Sequence, residues 1–207
     1  MGVEIAFGVM LLVALGVLFW MLVRSASVKI TRQYSKLADH FELELTEFPP
    51  KLGGFMRPEP FVHGHYKDRE MSISAPGSGL QKSRQIETML KVQVKNKRLN
   101  CQITSAGLFG SMRQRDSKTK ARWTSGDAAF DAAVDLRTNH AELMSGALTE
   151  DRRARLAALL KASKAMIYIG DGVISYSILG LIANDADCER FIAAAELFYE
   201  LAEALEK

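Results

Sequence analysis

His63 and His65 stand two apart in the stretch Phe61-Val62-His63-Gly64-His65-Tyr66, which has strand character, so their imidazoles point to one face. That geometry offers two zinc ligands. A third must come from His40, His140, Cys101, Cys188 or a carboxylate, and spacing selects none of them. Two histidines on an exposed strand face is the commoner situation and is the reading preferred here, with no metal or cofactor expected. Asp127, Asp131 and Asp135 recur every four residues and would stack three carboxylates on one helical face, a set able to hold a hard cation. A helix cap at Asp127 beside a solvated edge is preferred to that site. Asn184-Asp185-Ala186-Asp187 lacks the glycine and distal glutamate of a calcium loop and reads as a helix start.

Residues 77–83, Gly-Ser-Gly-Leu-Gln-Lys-Ser, resemble a phosphate loop in composition only. Gln81 stands where glycine is required, and the segment that follows alternates as a strand instead of opening a helix whose N–H groups would hold phosphate. No G-x-S-x-G elbow, H-E-x-x-H pair or Cys-His arrangement with local context is present. These absences weigh against the common hydrolase and metalloprotease classes.

Charge is the unusual feature. Residues 82–122 carry eleven basic side chains opposed by Glu87 and Asp116 alone, a net of +9. They include Lys82, Arg84, Lys91, Lys95, Lys97 and Arg98, and then Arg113, Arg115, Lys118, Lys120 and Arg122. From Trp123 onward the balance reverses to −6, so the overall +3 conceals a strong asymmetry. A basic hairpin and loop can meet anionic lipid headgroups, at about 1 kcal/mol per close residue, or an acidic protein partner, or it can stand as a solvated edge and disordered loop with no binding role. Nucleic acid is disfavoured because stacking aromatics are missing from the segment.

These residues are positioned by an appendage and one domain. Residues 5–23 contain no charge, and a helix of that length spans about 28 Å, the thickness of a bilayer's hydrocarbon core. A signal peptide with cleavage near residues 25–27 is the rival, but Glu4 replaces the basic start such peptides carry, and Arg24 with the length of the run fits an anchor. Arg24, Lys29, Arg32 and Lys36 follow the run closely, which predicts that the C-terminal side is cytoplasmic, at the inner membrane, with the N-terminus out. Two distant cysteines, Cys101 and Cys188, fit reduced thiols in that compartment.

Residues 1–24 are thus expected to be a transmembrane anchor, 25–58 a juxtamembrane helix and Pro/Gly linker, and 59–207 a soluble α+β domain. Ile30, Tyr34, Leu37, Ala38 and Phe41 give the juxtamembrane helix its apolar face, and Pro49-Pro50, Gly53-Gly54, Pro58 and Pro60 break the chain after it. Strands are expected at 61–66, 70–75, 86–95 and 99–104, with turns at Lys67-Asp68 and Asn96-Lys97 making an antiparallel meander. In the third strand Ile86, Thr88, Leu90, Val92 and Val94 share the inward face. Residues 107–122 read as a long connection. Thereafter come a short strand at 134–137, a helix capped by Thr149, a hairpin around Gly170-Asp171-Gly172 and a closing helix from Asp185. Strands that pair with neighbours and helices gathered late make an α+β fold with the late helices packed on an antiparallel sheet.

Gly64-His65-Tyr66-Lys67-Asp68-Arg69 resembles a G-x-Y-x-x-R pattern, and Gly126-Asp127-Ala128-Ala129-Phe130-Asp131 a G-D-x-x-F-D pattern. With the final strand pair and long helix, residues 35–207 resemble a loose group of uncharacterised bacterial α+β domains, often membrane-anchored. The resemblance implies a fold and tethering, with Gly64, Tyr66, Phe130 and Asp131 in structural roles, and carries over no catalytic residue. The functional expectation is a non-enzymatic, membrane-tethered interaction or scaffolding domain. The alternatives are an accessory subunit of a larger membrane complex, and an enzyme built around His63 and His65.

Overall fold

The computed structural model describes residues 2–50, 58–75, 86–106, 120–163 and 165–207. The glycine-serine loop at 77–83, the Gly53-Gly54 break, and the basic residues Lys82, Arg84, Arg113, Arg115 and Lys118 lie outside them.

Helix α1 runs unbroken over Gly2–Phe41. Its first half is apolar and exposed, with a mean hydropathy of 2.6 and none of the span buried, as a bilayer-crossing segment requires and a core helix does not. Its second half is amphipathic, and Tyr34, Leu37, Ala38 and Phe41 are all buried in the domain core. The packed unit therefore starts N-terminal to the expected boundary at residue 59. The backbone reverses at Glu42 (φ +55°), where Leu43 N–H donates to the Ala38 carbonyl, and returns as strand β1, Glu44–Thr46.

Among the described residues nine strands form one antiparallel sheet, in the order β1-β2-β3-β4-β9-β8-β5-β7-β6. Strands β2 (Phe61–Tyr66), β3 (Arg69–Ser74) and β4 (Glu87–Gln93) make the expected meander. Strand β5 (Cys101–Ser105) does not continue it. Asn96 Oδ1 accepts from the N–H groups of Arg98 and Leu99, turning the chain out of the sheet plane, and the hairpin β8 (Met166–Gly170) and β9 (Val173–Leu179) occupies the place beside β4. Seven residue pairs join β4 to β9, while β5 lies between β8 and β7 (Val134–Thr138). The β8–β9 turn is the tight Asp171-Gly172 pair, both with positive φ, and Gly170 remains in the strand. Lys120 to Arg122, expected within a connection, instead lead into an edge strand: β6, Ala121–Trp123, pairs with β7.

Among the described residues four further helices follow: α2 Ala128–Ala133, α3 Ala141–Ala147, α4 Glu150–Ala162 and α5 Asp185–Ala204. Each starts at a side chain that accepts a helical N–H: Asp127, His140, Thr149 and Asn184. Helix α5 buries Phe191, Ala195, Phe198 and Ala202 against the sheet, where Tyr176 meets Phe191 and Phe198. Thr88, Leu90, Val92 and Val94 point inward as expected, but Ile86 is half exposed because it lies beside Gly180, before α5 begins.

Helices α1 and α5 run parallel. Gln33 and Lys36 donate to Asp185 at the start of α5, and His40 lies 3.6 Å from Glu196 further along. At the far end Tyr66, Arg69 and Lys95 gather around Tyr199 and Glu206. The domain thus has a proximal end, where α1 arrives from its apolar span, and a distal end about one 30 Å helix length away.

Candidate functional site

Among the described residues the helices cover the inward residues of the central strands from one side and leave the other side open, and the ladder registers show what it presents. One row crosses it at a single level: Glu44, His63, Ser72, Lys91, Ser175, Tyr168, Gln102, Arg137 and Arg122, one residue from each strand. A second row toward the proximal end comprises Ser74, Met89, Ser177, Met166, Thr104 and Asp135. Serines at 72, 74, 175 and 177 keep the centre of this face low, while Lys91 stands exposed and Tyr168 half buried. A groove of about 800 Å³ lies over β2, β3, β4 and β9, bounded by His63, His65, Glu70, Lys91, Lys97 and Asp171.

His63 and His65 share this face, as their spacing demands. His63 stacks on Phe61 at 4.6 Å and its Nε2 lies 3.1 Å from Thr46 Oγ1. Glu44 lies opposite His63 and Glu70 opposite His65, but none of the other histidines or cysteines joins them. His40 is edge-on to Phe41, His140 Nδ1 accepts from Leu143 N–H, and Cys101 and Cys188 are free thiols buried on the helix side. Burial pushes the Cys101 thiol up to about 12, which keeps it protonated and unreactive. Among the described residues no three histidine, cysteine or carboxylate side chains form a metal-sized group.

The carboxylates spaced by four separate because α2 ends at Ala133 and Asp135 falls on β7. Asp127 caps α2. Asp131 accepts from Ser125 N–H at 2.8 Å, Ser125 Oγ–H at 2.9 Å and Gly126 N–H at 3.2 Å, holding the loop before the helix, and Phe130 is buried beneath. Asp135, nearly buried, lies 3.4 Å from Arg137 Nε and 3.9 Å from Arg122 Nε. The other patterned segment is equally structural. Gly64 (φ +150°) lets β2 pass the Leu43 side chain, Tyr66 packs edge-on against Phe41 and Tyr199, and Arg69 is locked to Glu206.

The described members of the basic segment do not form one patch. Lys91 is central on the open face; Lys95, Lys97 and Arg98 sit at the distal end; Lys120 and Arg122 lie on the opposite sheet edge, with Lys120 Nζ 5.6 Å from the Tyr168 ring. Strands β4 and β6 are five ladder steps apart, about 24 Å at 4.8 Å per step. Sequence reasoning missed Ser72, Ser175, Tyr168, Gln102 and Arg137. The alternation Ile174-Ser175-Tyr176-Ser177-Ile178 was a local signal that one side of β9 is solvated, but nothing local placed these residues in one row.

The architecture is that of an α+β domain whose antiparallel sheet is covered on one side by late helices and mounted on a long apolar N-terminal helix. No family model matches the sequence, and no curated protein matches it. Among solved structures it is similar to the mycobacterial trehalose monomycolate transport factor A, TtfA, with a TM-score of 0.55 over 84% of this chain and 95% of that one. The two are 7% identical, so the likeness is one of fold.

Proposed function

We propose that this chain is a membrane-tethered, non-enzymatic accessory domain that docks a protein partner on its open sheet face at the cytoplasmic side of the inner membrane. The observation that carries the reading is the continuity of α1: one helix supplies both the apolar span and the buried Tyr34, Leu37 and Phe41. A domain hung on a flexible linker samples all orientations; this one holds its open face at a set angle to its anchor, as an adaptor within an assembly must. Positive charge close behind the span supports the cytoplasmic orientation. The likeness to a protein named as a transport factor supports a role as accessory component of a membrane complex.

Placement favours protein over headgroups as the contact of the distal basic residues. Lys95, Lys97 and Arg98 lie about 30 Å beyond the level at which Asp185 meets α1, whereas headgroup attraction decays within about 8 Å at physiological salt. The test is purification of the full chain in mild detergent with mass spectrometry of stoichiometric companions. Lys91→Glu combined with Ser175→Arg is expected to release the companion, and Lys161→Glu on the helix side to retain it. A chain that carries no companion, or one released equally by both changes, overturns the reading.

A further inference from the structure

The exposed apolar side chains of the domain are not scattered. Outside the span, the large exposed ones among the described residues are Val28, Phe48, Ile86, Met166 and Leu179. All lie at the proximal end. Val28 is on α1, between the span and the domain. Phe48 follows β1 as it runs back from the turn at Glu42, and Glu47 beside it lines a cleft with Val28, Arg32 and Lys36 of α1. Leu179 ends β9 opposite Glu87, and Ile86 accepts at its carbonyl from Gly180 N–H in the next step of the same ladder. Met166 opens β8 across from Ser177. The distal end, by contrast, shows solvent Lys67, Asp68, Lys95, Lys97, Arg98 and Asp171.

We infer that this proximal apolar rim, chiefly Phe48, Ile86 and Leu179, seats the domain on the surface of the bilayer that α1 crosses. Val28 lies between the apolar span and the rest of the rim, and the basic side chains Lys29 and Arg32 of α1 follow it, where headgroups lie. Trp20, with Arg24 5.2 Å from its ring, marks the interface at the end of the span. Single exposed apolar residues need no explanation, but five confined to the end nearest the anchor do.

The distances fix the pose. Asp185 meets α1 at Gln33 and Lys36, about ten to thirteen residues past the span, or roughly 15–20 Å. The headgroup layer accounts for about 5–7 Å of that, so an upright helix leaves the rim on the order of 10 Å clear. A tilt of about 30° toward the sheet, within the range of spanning helices, closes such a gap at a lateral offset of about 20 Å. The seat therefore implies a tilted α1 and an open sheet face turned partly along the membrane, with its polar row raised above the headgroups. Glu87, half buried beside Leu179, and Glu47, next to Phe48, are carboxylates beside the contact and limit how deep the rim sinks.

Buried Cys101 and Cys188 leave introduced cysteines as the reactive ones, so the full chain can be spin-labelled at one site at a time. Phe48→Cys, Leu179→Cys and the distal Lys97→Cys, each labelled and reconstituted alone into phosphatidylcholine bilayers, are compared for collision with oxygen, which partitions into lipid, and with a water-soluble nickel chelate. The expected result is an oxygen-to-chelate ratio several-fold higher at 48 and 179 than at 97. Equal ratios at the three sites overturn the seat. A rise that needs anionic lipid and vanishes at high salt overturns it in favour of headgroup charge. Dipolar broadening between Leu179→Cys labels that disappears on dilution with lipid overturns it in favour of a second copy of this chain.

Discussion

Arg69 and Glu206 lie 137 residues apart in the chain and meet through two parallel hydrogen bonds of 2.6 and 2.9 Å, Nη1 to Oε1 and Nη2 to Oε2. The guanidinium also donates to the Gln93 carbonyl, and Glu206 accepts from the Lys95 N–H, so one pair fastens the β2–β3 turn, the end of β4 and the end of α5. Arg69 is 4% exposed and Glu206 14%, which makes this an ion pair whose partners cannot be rehydrated separately without cost.

Breaking that pair from one side strands the other charge. Arg69→Met is expected to cost about 3 kcal/mol, read as a lower melting point of the detergent-solubilised chain, with Glu206→Gln costing less because the amide keeps one acceptor. The hydrogen bonds from Arg69 hold the Glu206 carboxyl below the usual range, against its partial burial. A depressed folded value means that the stabilisation is complete above the ordinary glutamate range, near 4.3, and is lost as pH falls through it toward the folded value. Asp185 is lowered in the same direction by Lys36 and Gln33. The acid limb of the stability profile should therefore flatten in Glu206→Gln, and an unchanged limb would refute the assignment.

Asp127 and Asp131 divide the work of a short loop. Asp127→Ala removes a cap that accepts two N–H groups and is expected to cost about 1 kcal/mol. Asp131→Ala leaves the N–H groups of Ser125 and Gly126 without their acceptor and is expected to cost more, about 2 kcal/mol. Denaturant midpoints decide the ranking. Metal-chelator treatment should change neither, since these carboxylates are occupied by backbone donors.

What could be read from residues alone follows the range of the forces involved. Strand β2 and the turn at Lys67-Asp68 were legible from alternation and turn chemistry, and α5 from Asn184, Phe191 and Phe198, because each signal is local. The insertion of β8–β9 between β4 and β5 was not. Asn96-Lys97 has hairpin chemistry, and only the competition for the edge of β4, decided by Leu90, Val92, Ile174 and Tyr176 beneath the same helix, tells that β9 takes that place. Strand β1 is three residues long and carries no pattern of its own. The open-face row was illegible for the same reason as the pairing, since its nine members come from nine strands.

Orientation can be checked chemically. Lys97→Cys is exposed at the distal end, while the native thiols are buried. With the C-terminal side cytoplasmic, an impermeant maleimide added to intact cells should leave Lys97→Cys unlabelled, and labelling should rise sharply once the membrane is opened. Labelling of intact cells would place the domain on the outer side.

The most consequential expectation concerns where the domain begins. Tyr34, Leu37 and Phe41 are 0–1% exposed and pack against β2 and α5, so the second half of α1 is core although it reads as a connector. Fully burying side chains of this size contributes about 1.5–3 kcal/mol each, some 5–9 kcal/mol for the three, against a net domain stability of about 5–15 kcal/mol. A chain starting at residue 58 also loses β1, which exposes the edge of β2 and its Val62 row, and it leaves Asp185 without Gln33 and Lys36. It is expected to be unfolded or to aggregate. A chain starting at Val28 omits the span yet keeps every one of these contacts, and it should melt cooperatively with dispersed amide signals. Cooperative folding of the shorter chain would show that α1 is a separable tether, and the fixed presentation of the open face would fall with it.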